Sequence, residues 1–145
     1  EFMISTNPGE EVKPLARVAS GGELSRIMLA IKSVLAEKDV IDTLIFDEID
    51  TGISGRTAQK VSEKLKKISR THQVIAITHL PQIASMADEH FIIEKSTDGM
   101  ETKTNIASLS AEDSIVELAR MLGGARITEA VVASAREMRE LARQI

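Results

Sequence analysis

The sequence predicts an α/β fold: a mostly parallel sheet flanked by helices, with one small β-hairpin. Two short apolar runs carry that reading. "TLIF" (43–46) and "QVIAIT" (73–78) are each too short for a helix and each end in polar residues, "DEID" and a histidine. A third observation is the alternation of such runs with helical stripes, which argues for crossover connections between parallel strands.

The elements follow in order. Residues 1–6, "EFMIST", alternate Phe2 and Ile4 with polar neighbours and read as a strand. Pro8-Gly9 and Pro14 mark a loop. A helix begins near Gly21, with Ser20 as N-cap and Glu23 three residues later completing a capping box. Its apolar stripe is Leu24, Ile27, Met28, Ile31 and Leu35. Leu44-Ile45-Phe46 suits a fully buried central strand, and "DTGISG" (50–55) is a turn whose Ser54 can cap the next helix. That helix buries Ala58, Val61, Leu65 and Ile68 and leaves Lys60, Lys64, Lys66 and Lys67 outside. Residues 73–79 form a second buried strand, 82–87 a short helix, and 90–95 with 102–108 a hairpin around "STDGM". Ser110 and Asp113 start a helix that Gly123-Gly124 stops, and 127–144 form the last one.

A chain of 145 residues predicts one domain with a real core. A net charge of −4, no Trp, no Tyr and three Phe exclude a generally basic or base-stacking nucleic-acid surface. The absence of Cys excludes disulfides and thiolate metal sites and fits a reducing compartment. No apolar run approaches the ~18 residues of a membrane span. The chain starts with Glu in a strand-like run and is expected to be a piece of a longer protein.

Three constellations can carry chemistry. Asp47-Glu48 ends a buried strand, where open α/β sheets bind ligands; a strand that merely ends in solvated acids reads the same way. Ser20-Gly21-Gly22 precedes a helix whose free N–H groups and dipole favour an anion; a capped helix after a loop is the plainer alternative. His79 ends the neighbouring strand, where it can donate to a phosphate or simply bond to backbone; His72 and His90 take the second reading. No G-x-x-x-x-G-K-[ST] loop is present.

Order and spacing join these into one pattern. "SGGELSR", "LIFDEID", "DTGIS" and "TH" (78–79) resemble the signature motif, Walker B strand, D-loop and switch histidine in the C-terminal half of an ABC-type P-loop ATPase head. The "DEID" form resembles SMC-like chromosome and repair ATPases more than transporters. "TNPGEEVKPLARVASGGELSRIMLAIKS", "IFDEIDTGISGRTA" and "ITHLPQIASMADEHF" are similar to the RecN-like double-strand-break repair ATPases of bacteria, over nearly all of the chain. Ser54 departs from the D-x-x-L-D turn of other SMC-like heads, and the RecN-like group shares the T-G-I-S form.

The resemblance implies that residues 1–145 are the C-terminal half of a head, with the phosphate loop and a coiled coil in an N-terminal part outside this chain. ATP is then sandwiched between two heads. Asp47 is expected to hold Mg²⁺ through water, Glu48 to activate the attacking water, and His79 to stabilise the γ-phosphate. Ser20, Gly21, Gly22 and Glu23 are expected to read the γ-phosphate of ATP on the partner head, and Asp50 and Ser54 to act from the D-loop. The implied partners are the N-terminal half, a second head and DNA, with no membrane, in the bacterial cytoplasm at the nucleoid. The chain alone is expected not to hydrolyse ATP. Two rivals are another SMC-like or transporter head, and a non-catalytic dimerisation module; a scaffold needs neither Asp47 nor Glu48. Lys60, Lys64, Lys66, Lys67, Arg70, Arg136, Arg139 and Arg143 are read as solvated helix faces before a DNA surface.

Overall fold

The computed structural model describes residues 2–5, 9–18, 20–35, 40–98 and 101–145. Glu1 and Thr6 of the expected first strand, Pro8 of the loop and Gly99-Met100 of the hairpin turn lie outside that set. Strand β1 (Met3–Ile4) pairs antiparallel with β2 (Lys13–Pro14). Pro14 was expected in a loop; in a two-stranded ribbon both strands are edges, where a residue without an N–H is tolerated. A single turn, α1 (Leu15–Val18), follows.

Helix α2 spans Gly21–Leu35. Its buried residues are Gly22 and Leu29, whereas Leu24, Met28 and Leu35 are exposed, so the face packed inward is rotated from the stripe that hydrophobicity alone marks out. Strand β3 (Thr43–Phe46), helix α3 (Gly55–Ile68) and strand β4 (Gln73–Ala76) form a parallel β-α-β unit. The register sets Leu44 beside Val74 and Phe46 beside Ala76. Leu44 and Phe46 point into a core with Leu29, Ile49, Val61, Leu65, Ile68 and Ile83.

The other face of this strand pair is bare: Ile45 is 68% exposed, Ile75 45% and Ile77 48%. This corrects the expectation of two fully buried strands. Successive side chains of a strand point to opposite faces, and α2 and α3 cover only the face that Leu44 and Phe46 occupy. Among the described residues the parallel pairing is this one pair, and the other two sheets are antiparallel pairs.

Helix α4 (Pro81–Ala84) starts with proline at its first turn, where the missing N–H costs nothing. Strands β5 (Phe91–Asp98) and β6 (Glu101–Ser108) form the expected hairpin, longer than the sequence suggests. Helix α5 (Ala111–Gly123) is capped by Ser110, whose hydroxyl accepts the Asp113 N–H, and ends at Gly124 with φ +61. Thr128 caps α6 (Glu129–Ala142) in the same way. A second core joins Ala84 to Ile115, Leu118, Ala119 and Ala135. Arg139 is not a solvated face residue. Its guanidinium donates to the carbonyls of Ser85 (2.6 Å) and Ala87 (2.5 Å), tying α6 to the segment that follows α4.

Candidate functional site

The C-terminal ends of β3 and β4 lie abreast. The Ile77 N–H donates to the Phe46 carbonyl at 3.0 Å, so the Asp47–Asp50 segment and the Thr78-His79 segment leave the same sheet edge. Asp50 turns inward and is 2% exposed. Its Oδ2 accepts from Thr78 Oγ1 (2.5 Å) and the His79 N–H (2.8 Å), and stands 3.0 Å from His79 Nδ1. Burial pushes the Asp50 carboxyl up; the Thr78 and His79 bonds outweigh it and hold the group below the usual carboxylate range. The His79 side chain itself is 71% exposed, so it is anchored on one side and open on the other.

Asp47 and Glu48 face solvent, and neither carboxylate has a hydrogen bond or ion pair among the described residues. Glu48 has φ +56, the left-handed region that a non-glycine residue occupies at a cost. Its carbonyl accepts the Thr51 N–H at 3.0 Å, which closes the turn after β3.

The N-terminus of α2 abuts that turn. A Cβ on Gly22 would stand 2.8 Å from the Glu48 carbonyl oxygen and 3.0 Å from Thr51 Cβ; one on Gly21 would stand 2.8 Å from Glu48 Oε2. The two glycines therefore let helix and acid turn meet without side chains between them. Ser20 and Glu23 form the expected capping box: the Ser20 N–H donates to Glu23 Oε2 (2.8 Å) and the Glu23 N–H to Ser20 Oγ (3.4 Å). The Ser20 hydroxyl also donates to Glu23 Oε2 (3.1 Å), and the two bonds to the carboxylate, the backbone one first, lower the Glu23 pKa.

Two residues that the sequence reading left without a role complete the contact. Ser25 Oγ donates to the Asp47 carbonyl (2.8 Å), and Arg26 Nη1 to the carbonyls of Ile49 (3.1 Å) and Thr51 (2.8 Å). Gly22, Ser25, Arg26 and Leu29 recur at i, i+3, i+4 and i+7, which is a helical face. That spacing was the available signal, masked by the more hydrophobic stripe beside it. Ser54 occupies the N-cap of α3, but its hydroxyl makes no capping bond; its carbonyl accepts the Thr57 and Ala58 N–H groups instead. His72 is bonded to the Thr71 hydroxyl and His90 to the Ser114 hydroxyl, side-chain partners where backbone ones were expected.

The structure thus brings Asp47, Glu48, Gly21 and Gly22 into one contact and joins Asp50 to His79. No group of three or more His, Asp or Glu ligands suited to a metal occurs among the described residues. A divalent cation at Asp47 would need oxygens from a ligand and water, which is how Mg²⁺ is commonly held. No helix of the described residues is long and apolar enough to cross a membrane.

No protein-family model matches the chain. It is 50% identical over 145 residues to the DNA repair protein RecN of Halalkalibacterium halodurans, covering 100% of this chain and 26% of that protein. It is 47% identical over 145 residues to RecN of Bacillus subtilis, again over 100% of this chain and 25% of the relative. RecN of Vibrio cholerae is 47% identical over 137 residues, 94% of this chain and 25% of that protein. The similarity to RecN runs along the whole chain, which spans about a quarter of the length of these relatives. Among solved structures, an SMC ATPase from work on ATP-driven dimerization and DNA-stimulated activation matches with a TM-score of 0.51, at 23% identity over 83% of this chain and 79% of that one. Over that span the chain shares the fold of this neighbour.

Proposed function

We propose that this chain is the C-terminal lobe of the ATPase head of a RecN-type DNA repair protein. In this reading its sheet edge hydrolyses ATP held between two such heads. One observation carries the reading. Asp47 and Glu48 stand unbonded at the end of β3, beside a histidine that a buried carboxylate holds in place.

Asp47 would hold Mg²⁺ through water, and the ion bound there would supply neutralisation of phosphate charge. Glu48 orients the attacking water and takes its proton. His79 donates a hydrogen bond to the terminal phosphate from its exposed side, while Asp50 fixes the ring from behind. Ser20, Gly21 and Gly22, with Glu23 capping them, present the α2 N-terminus to the γ-phosphate of ATP on the partner head, and Ser54 lies at the D-loop between the heads. Arg26 and Ser25 hold the acid turn against that helix, so a phosphate met by α2 is felt at Glu48.

The phosphate loop belongs to the N-terminal part of the head, which packs on the bare Ile45, Ile75 and Ile77 face, and a coiled coil separates the two parts along the chain. Exposed apolar patches of this kind mark interaction surfaces. The lone chain therefore does not turn over ATP. The whole protein acts on DNA ends in the bacterial cytoplasm at the nucleoid.

The test is Glu48→Gln in the full-length protein, beside the wild type and the chain alone. ATP binding is kept and turnover falls by about 100-fold or more, the ordinary worth of a general base. Undiminished turnover in the variant, or turnover by the chain alone, would overturn the assignment.

A further inference from the structure

A row of unpaired positive charge lies on the outer face of α3, the helix that follows the acid turn and its Ser54 cap. The helix carries five cations, Arg56, Lys60, Lys64, Lys66 and Lys67, against one acid, Glu63, in a chain of net charge −4. Lys66 is paired with Asp88 (2.5 Å), and the Glu63 carboxylate accepts the Gln59 amide (3.1 Å). Arg56, Lys60, Lys64 and Lys67 are exposed, and their side chains have no ion pair or hydrogen bond among the described residues. Their spacing, i, i+4, i+8 and i+11, aligns them in one row. At 1.5 Å per residue the row is about 16 Å long. The opposite side of the helix buries Ala58, Val61, Ser62, Leu65 and Ile68 against the core, so the row points away from the sheet and from its bare face.

We propose that this row is a backbone-binding surface for duplex DNA. The inference rests on the repair-ATPase reading and adds to it where the DNA lies. Each strand of duplex DNA carries a phosphate for about every 3.4 Å of helix axis, so a row of this length runs beside several of them. Exposed lysines on flexible stems neutralise phosphates without reading bases. A protein partner is the poorer fit, because stable protein interfaces have an apolar centre and shed lysine. The exposed residues of this stripe, Arg56, Lys60, Glu63, Lys64 and Lys67, are all polar, as is half-buried Gln59 beside them. The relatives are DNA repair proteins, and the structural neighbour comes from work on DNA-stimulated activation.

The experiment is binding of a fluorescent 40-base-pair duplex by the full-length protein across a salt series. Wild type is compared with the Arg56→Gln, Lys60→Gln, Lys64→Gln, Lys67→Gln variant and with Lys64→Gln alone. Each phosphate contact contributes about 0.9 to the slope of log affinity against log salt. The quadruple variant therefore loses about 3.6 from that slope and at least about tenfold in affinity at ~0.1 M salt. The single variant loses about 0.9. Turnover of ATP without DNA stays at the wild-type level. A wild-type slope and affinity in both variants would sink the proposal while leaving the ATPase reading intact. A wild type that turns over ATP but does not bind the duplex would do the same. Loss of binding to a polyglutamate probe with duplex binding untouched would move the row to acidic polypeptides and overturn it. A protein that never turns over ATP fails the earlier reading instead, whatever the slope shows.

Discussion

Asp50 and His79 are joined through both backbone and ring: one buried carboxylate oxygen accepts the His79 N–H at 2.8 Å and stands 3.0 Å from its Nδ1. The same oxygen takes the Thr78 hydroxyl at 2.5 Å. Three groups on one strand end are thus aimed by a single acid on the next. Removing the acceptor leaves the half-buried Thr78 hydroxyl and the His79 N–H without their partner, each toward the low end of the about 1–3 kcal/mol that a buried unsatisfied donor costs. Asp50→Ala is expected to destabilise the protein by about 2–3 kcal/mol in urea unfolding and to lower ATP turnover of the full-length protein. Asp50→Asn keeps one acceptor and is expected to cost less. The pH dependence has a definite sign. The folded carboxyl binds its proton less tightly than the unfolded one, whose ordinary pKa is about 3.9. Its contribution is complete above that value and is lost as pH falls through the lower folded pKa. The stability gap between wild type and Asp50→Asn therefore narrows as pH is lowered from 6 toward 3; a constant gap would contradict the ionised state of Asp50.

Glu48 holds a left-handed backbone at φ +56. Glycine adopts that conformation freely, whereas other residues strain by about 1–2 kcal/mol. Strain of this kind gathers at functional sites. Glu48→Gly is expected to raise stability by up to about 1 kcal/mol while abolishing turnover. Glu48→Gln, with the same backbone demand, leaves stability unchanged. Thermal unfolding of the two variants beside wild type checks this; equal stability of all three would mean that the turn relaxes without cost.

Gly21 and Gly22 separate by what a methyl group would strike. At Gly22 it meets the Glu48 carbonyl and Thr51, which are fixed backbone and a tethered side chain. Gly22→Ala is expected to cost about 1–3 kcal/mol as overpacking, more than the ~1 kcal/mol that alanine returns in helix propensity. At Gly21 the methyl meets only the end of the Glu48 side chain. Gly21→Ala leaves stability close to wild type and displaces the carboxylate, so turnover drops without unfolding. Urea denaturation together with an ATPase assay on each variant separates the two outcomes.

His90 gives the protein a second pH dependence. Burial first, and then the Arg139 charge, lower its pKa against the pull of Glu117. The ring is bonded to Ser114 Oγ at 2.8 Å. The unfolded chain takes up a proton as pH falls through about 6.5, before the folded chain does. Stability therefore declines as pH is lowered below that value. His90→Gln keeps a polar partner for Ser114 and is expected to flatten the decline between pH 7 and 5. An unaltered decline would assign it to another group.

The sequence by itself determined most of the elements, though not β2 or α1, and the edge on which the acids sit. Short apolar runs bounded by polar residues placed β3 and β4, and the S-x-x-E and S-x-x-D boxes fixed the starts of α2 and α5, because capping and strand periodicity are local. The same locality explains the misses. Hydrophobicity marked Leu24, Met28 and Leu35 on α2, but the helix packs through Gly22, Ser25, Arg26 and Leu29, whose value lies in close approach and in bonds to the carbonyls of a distant turn. "IDT" does not reveal that Asp50 is buried while Asp47 and Glu48 face solvent; that depends on Thr78 and His79 arriving on the neighbouring strand. Nor does an apolar run say which of its faces finds cover, and Ile45 is left exposed beside buried Leu44 and Phe46. Local physics selects helix, strand and cap from neighbouring residues; burial, close approach and the sharing of one carboxylate are decided only when segments far apart in the chain meet.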